Sequence, residues 1–85
     1  MNSSTDKQIL TVNKLMILRF MHKMDMPLTG LQISQFFLER NMMNYFHIQQ
    51  CIGDLLNAKL IQYSNGTKKR YIITENGKNA NKFFS

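Results

Sequence analysis

Apolar residues recur along this chain with two periods, and the change of period divides it into helices and a ribbon. Between Asp6 and Met24 the spacing is helical: at about 100° per residue, Ile9, Val12, Met16 and Phe20 form one stripe, and Leu10, Ile17, Met21 and Met24 form a second beside it. Leu15 and Leu18 fall on the far side from both. A helix so apolar all round either runs through the centre of a core or packs its outer side on a second subunit. A chain of 85 residues has little bulk to surround a helix, which favours the second arrangement. Pro27 ends this helix by biasing its predecessor away from the α region, and a very short strand is expected over Met26–Leu28. Helical spacing returns over Gly30–Arg40, with Ile33, Phe36 and Phe37 inward. It returns again over Tyr45–Lys59, with Tyr45, Ile48, Ile52, Leu55 and Leu56 inward and Phe46, His47, Gln50, Gly53, Asp54 and Asn57 outward.

After Lys59 the period falls to two. Leu60–Tyr63 and Arg70–Ile73 alternate as strands around Asn65-Gly66. A two-residue Asn-Gly turn would put Ile61 and Tyr63 on the same face as Lys68 and Arg70. A three-residue loop, Ser64-Asn65-Gly66 with Gly66 left-handed, shifts the pairing by one and joins Ile61, Tyr63, Tyr71 and Ile73 on one face, leaving Lys68 and Arg70 outward. The second register is the expected one, because a slip of one residue inverts every side chain. Thr74 then caps a last helix through Glu75, and Gly77 removes a side chain where that helix must leave the ribbon closely. Ala80, Phe83 and Phe84 give this helix an apolar side.

Two helix starts are marked by side chains. Leu28-Thr29-Gly30-Leu31-Gln32-Ile33 holds a capping box, with Thr29 as N-cap, Gln32 three residues on, and Leu28 and Ile33 as a hydrophobic staple. Met43-Asn44-Tyr45-Phe46-His47-Ile48 repeats the device with Asn44 as N-cap and Met43 against Ile48. Only Asn41-Met42-Met43 separates the two helices, and Asn tolerates the left-handed turn after a helix. Helix, three-residue turn, helix and then a basic ribbon is the plan of a winged helix-turn-helix: mainly α with a small β-ribbon, in the order α-β-α-α-β-β-α. Residues 1–5 are expected as a disordered polar tail and 6–85 as a single domain.

Charge sharpens this picture. Eleven Lys and Arg against five acids give a formal net charge of +6 and a pI near 9.8, which favours anionic partners, nucleic acid before a membrane surface. One cysteine, Cys51, excludes an internal disulfide and suits a reducing cytoplasm. The residues from Met1 to Asp6 lack the basic and apolar regions of a signal peptide, and the stretch Leu15–Met21 is interrupted by Arg19 and too short to span a bilayer. A soluble cytoplasmic protein is expected. The excess of Asn, Lys, Ile and Met, with only two Ala, fits an A·T-rich bacterial genome.

Thr74-Glu75-Asn76-Gly77-Lys78 directly after Arg70-Tyr71-Ile72-Ile73 resembles the passage that follows the wing in PadR- and MarR-type bacterial regulators. Asn13-Lys14-Leu15, Pro27-Leu28-Thr29, Phe36-Phe37-Leu38-Glu39, Met43-Asn44-Tyr45-Phe46 and Gln49-Gln50 together resemble a bacterial winged-helix family catalogued as a domain of unknown function and labelled as transcriptional regulators. The resemblance covers residues 8–85 and matches the N-terminal half of that family's pattern. It implies the winged-helix fold and, by label, regulation of transcription.

The expected function is therefore binding of double-stranded DNA, with the helix of residues 44–59 in the major groove and the wing of residues 64–70 on the backbone. Asn44, His47 and Gln50 are the candidates for base edges, since Asn and Gln suit adenine and His can donate to guanine. Against this, the helix carries no Arg, its only Lys is Lys59 at the far end, and Asp54 would repel phosphate. Lys68, Lys69 and Arg70 are the strongest phosphate candidates, with Arg40 and Lys14 behind them; the competing use of such charge is protection of an edge strand. Leu10, Ile17, Leu18, Met21, Phe83 and Phe84 are the candidate homodimer interface. His47 and Cys51 have a spacing metals accept but no further ligand with matching spacing, so neither metal nor cofactor is expected. The five acids lie on separate elements and no Gly-rich phosphate loop follows a strand, so no catalytic residues and no enzyme are expected. The rival class is a winged helix serving protein–protein assembly or dimerisation through its first helix.

Overall fold

The computed structural model describes residues 3–66 and 68–84, with side-chain surroundings over 11–66 and 68–83. The elements are α1 (Ser3–Met24), β1 (Leu28–Thr29), α2 (Gly30–Glu39), α3 (Tyr45–Asn57), β2 (Ile61–Tyr63), a 3-10 turn (Ser64–Gly66), β3 (Arg70–Ile73) and α4 (Glu75–Phe84). The α-β-α-α-β-β-α order matches expectation and is compatible with a winged helix-turn-helix. The three strands form one antiparallel sheet in the order β1-β3-β2.

α1 begins at Ser3, ahead of the expected start at Asp6. It packs against α3, α4 and β3 together. Ile17, Leu18 and Met21 are at most 1 % exposed, while Val12, Arg19 and Lys23, spaced i, i+7, i+11, face water. The assignment of Ile17, Leu18 and Met21 to a dimer interface is therefore corrected: they are the centre of this chain's own core. An 85-residue chain can enclose a helix because the other three helices and the sheet need only line its sides, leaving the side of Val12, Arg19 and Lys23 open. The side chains of Leu10 and Phe84, also assigned to that interface, lie outside the described residues; Phe83 is exposed.

Helix ends are set by local chemistry. α1 closes with Asp25 at φ 50, its N–H donating to the Met21 carbonyl at 3.0 Å. β1 lies at Leu28–Thr29 rather than Met26–Leu28, pairing Leu28 with Tyr71 and Thr29 with Arg70. Thr29 also caps α2: its Oγ1 accepts from the Gln32 N–H at 3.0 Å and the Gln32 Oε1 accepts from the Thr29 N–H at 2.8 Å, the expected capping box. α3 ends at Asn57, two residues before expectation, because Lys59 turns to φ 61 and the N–H groups of Lys59 and Leu60 bond back to Leu56 and Leu55.

The inward stripe of α3 is Ile48, Cys51, Ile52 and Leu55, an i, i+3, i+4, i+7 set. Tyr45, expected inside, is 58 % exposed, and Cys51, expected half-buried, is fully buried. The helix is rotated toward Cys51, which moves Tyr45 to the flank of the stripe, at the helix end, where more than half of it is exposed.

In the ribbon Ile61 pairs with Ile73, Gln62 with Ile72 and Tyr63 with Tyr71, so the faces are shared as expected. The loop is longer than three residues, however: seven separate Tyr63 from its partner Tyr71. Asn65 at φ 54 and Gly66 at φ 72 turn it left-handed within the 3-10 segment.

Candidate nucleic-acid interface

The turn between α2 and α3 is closed at both ends by hydrogen bonds. Asn41 sits at φ 53, and the N–H groups of Asn41 and Met42 donate to the carbonyls of Leu38 (3.1 Å) and Phe37 (3.0 Å), a Schellman closure of α2. Three residues later the Asn44 Oδ1 accepts the His47 N–H at 2.8 Å and opens α3. Leu28, Ile33, Met43 and Ile48, the expected staple residues, are all buried. The relative angle of the two helices is thus held by caps and core at once.

Packing leaves one face of α3 open. Phe46, Gln50, Gly53 and Asn57 follow one another at i, i+4, i+7 and i+11, with Gln49 and Tyr45 at their side. Phe46 is 72 % exposed, so it does not pack on α2. A Cβ built on Gly53 meets none of the described residues within 4 Å. Of the three base-edge candidates, Gln50 lies on this face and is exposed. Asn44 is exposed, but its oxygen is engaged in the cap. His47 is half-buried at the edge of the face, its ring 6.3 Å from that of Phe46. Gln49 was missed by sequence reasoning, although its spacing of three from Phe46 places it beside the same open stripe.

The cationic candidates separate into two groups. Lys14 approaches Asp54, Nζ to Oδ2 4.0 Å, so it offsets the one acid of α3. The guanidinium of Arg40 lies 3.9 Å from the centroid of the Phe36 ring and donates to the Phe36 carbonyl at 3.0 Å, closing the last turn of α2. Lys68, Lys69 and Arg70 are all exposed on the ribbon. Behind them Tyr63 and Tyr71 lie with ring centroids 5.3 Å apart, and burial, then the neighbouring Tyr63, holds the Tyr71 hydroxyl above its ordinary pKa.

Burial, reinforced by Asp54 and opposed by Lys14, pushes the Cys51 thiol up to about 11. A neutral thiol in the core is an inert packing group rather than a ligand or nucleophile. Among the described residues no group of three or more His, Cys, Asp or Glu side chains could hold a metal ion, and no helix is long and apolar enough to cross a membrane. No curated protein and no solved structure matches the chain. Residues 13–85 match the model of the family described as Domain of unknown function (DUF4364), and the chain belongs to that family.

Proposed function

We propose that this chain binds double-stranded DNA as a winged helix-turn-helix and acts as a transcriptional regulator in a bacterial cytoplasm. α3 enters the major groove and the ribbon carrying Lys68, Lys69 and Arg70 lies on the flanking phosphates. One observation carries this reading: two helices joined by a doubly capped turn present an open face of α3, and a cationic ribbon follows in the same small domain. The net charge of +6 supports it, and the Lys14–Asp54 pair lessens the repulsion that an acid on α3 would exert on phosphate. The homodimer expected from the sequence remains part of the proposal, with the exposed Phe83 on its interface in place of the buried Ile17, Leu18 and Met21.

The test is fluorescence anisotropy of duplex DNA across a salt series. Replacing Lys68, Lys69 and Arg70 by Ala is expected to weaken binding to every sequence alike. The slope of log affinity against log salt should become shallower by roughly one for each phosphate that is no longer neutralised. No retention of duplex DNA near 50 mM salt by the folded chain would refute the proposal.

A second reading, docking of a protein partner, is favoured by a groove of about 350 Å³ between α1 and α2. Its walls are Met16, Phe20, Phe36 and Met42, with Arg19 and Lys23 among the lining, so an acidic amphipathic segment is the partner it suits. A chain that binds no DNA but captures such a peptide would support this reading instead.

A further inference from the structure

The open face of α3 is unusual in what it lacks. From Asn44 to Ala58 there is no Lys or Arg, the residues whose side chains pair with the O6 and N7 of guanine. In their place stand two glutamines, Gln49 and Gln50, and an aromatic ring, Phe46, that is 72 % exposed. Amide side chains match the N6 and N7 of adenine, and apolar side chains match the C5 methyl group of thymine. An aromatic side chain left mostly in water on a well-packed helix forgoes burial that a partner could supply.

Gly53 adds an independent observation. Glycine in the interior of a helix is destabilising, and here it serves no packing need among the described residues, since a Cβ would meet none of them within 4 Å. It lies between Gln50 and Asn57 on the same stripe and leaves the backbone of α3 bare, so that a groove wall can approach closely.

We infer that α3 recognises A·T base pairs in the major groove, with Phe46 against thymine methyl groups and the Gln50 amide, flanked by that of Gln49, on adenine. The inference rests on the DNA-binding reading and narrows it to a substrate class, duplexes rich in A·T steps. Asn44, held by its cap, and His47, turned to the edge, position the first turn of the helix. The wing supplies affinity that does not depend on sequence.

Three duplexes of roughly two helical turns separate the possibilities: one of mixed A·T sequence, one of G·C sequence, and the A·T duplex with every thymine replaced by deoxyuridine. The last exchange removes only the C5 methyl group from the major groove and leaves the minor groove as it was. The intact chain is expected to bind the A·T duplex about tenfold or more tighter than the G·C duplex. Its affinity should fall roughly fourfold on deoxyuridine exchange, the equivalent of one buried methyl group. Phe46→Ala should bind the thymine and deoxyuridine duplexes equally, and Gln50→Ala should reduce the A·T preference while keeping the deoxyuridine effect. Phe46 is exposed, so this variant is expected to fold, and its circular dichroism spectrum checks that it does. Equal binding of A·T and G·C duplexes, or a deoxyuridine effect that persists in Phe46→Ala, would overturn the inference while DNA binding stands. Absence of binding to all three would overturn both.

Discussion

Replacing Gly77 by Ala tests how α4 is joined to the sheet. A Cβ at this position would collide with the Leu60 carbonyl oxygen, and would lie 2.7 Å from Ile73 Cγ1 and 3.0 Å from the Leu60 carbonyl carbon. The Leu60 atoms are backbone and cannot swing aside. The same carbonyl accepts the Thr74 N–H at 3.0 Å, the Thr74 Oγ1 donates to the Lys59 carbonyl at 2.7 Å, and the Gly77 N–H donates to that Oγ1 at 3.0 Å. A methyl group forced into this junction costs about 1–3 kcal/mol as overpacking, and each hydrogen bond broken as α4 retreats adds about 1 kcal/mol. A loss of about 3 kcal/mol is expected, a large share of the roughly 4–13 kcal/mol typical of a chain this long. Urea unfolding followed by far-ultraviolet circular dichroism measures it; with a slope of about 1 kcal/mol per molar, the midpoint should fall by about 3 M. Gly53→Ala is the matched control. None of the described residues lies within 4 Å of its Cβ, so it should gain about 1 kcal/mol from helix propensity alone. A Gly77→Ala protein within about 0.5 kcal/mol of the parent, or glycine replacements that both shift stability in one direction, would refute the packing described.

The remaining predictions concern single groups. Ser34 is 1 % exposed and its Oγ has no hydrogen-bond partner among the described residues, so Ser34→Ala should raise stability by about 1 kcal/mol in the same urea assay. Asn44→Ala removes the cap from the His47 N–H and should lower stability by about 1 kcal/mol. Cys51 stays neutral in the fold up to about pH 11, whereas the unfolded thiol ionises near 8.5. Its contribution is thus fully present below about pH 8.5 and declines as pH rises toward 11; the stability difference between the parent and Cys51→Ala should shrink over that window.

Much of this molecule is local chemistry and is legible without its fold. The capping box at Thr29 and Gln32, the Asn44 cap and the left-handed turn at Asn41 each follow from a few neighbouring residues and their hydrogen-bonding groups, whereas the need for glycine at position 77 is imposed by the distant Leu60 backbone. The face sharing of Ile61, Tyr63, Tyr71 and Ile73 follows from alternation, because only one parity keeps cations off the apolar side. Tertiary structure decided what local patterns leave degenerate. α1 offers several apolar stripes, and only the placement of α3, α4 and β3 around it selects Ile17, Leu18 and Met21 as interior and leaves Val12 in water. The ribbon pairs four positions further along than a tight loop would allow, because parity repeats every two residues and β1 also pairs with β3. The inward stripe of α3 could include Tyr45 or Cys51, and rotation of the helix within the core favoured the smaller thiol. That rotation also left Phe46, Gln49 and Gln50 of α3 open to a partner and turned His47 to the edge, while Asn44 stays exposed with its oxygen held in the cap. Helical periodicity specifies which residues share a face, but the direction in which that face points is set only when neighbouring elements exclude water from the other side.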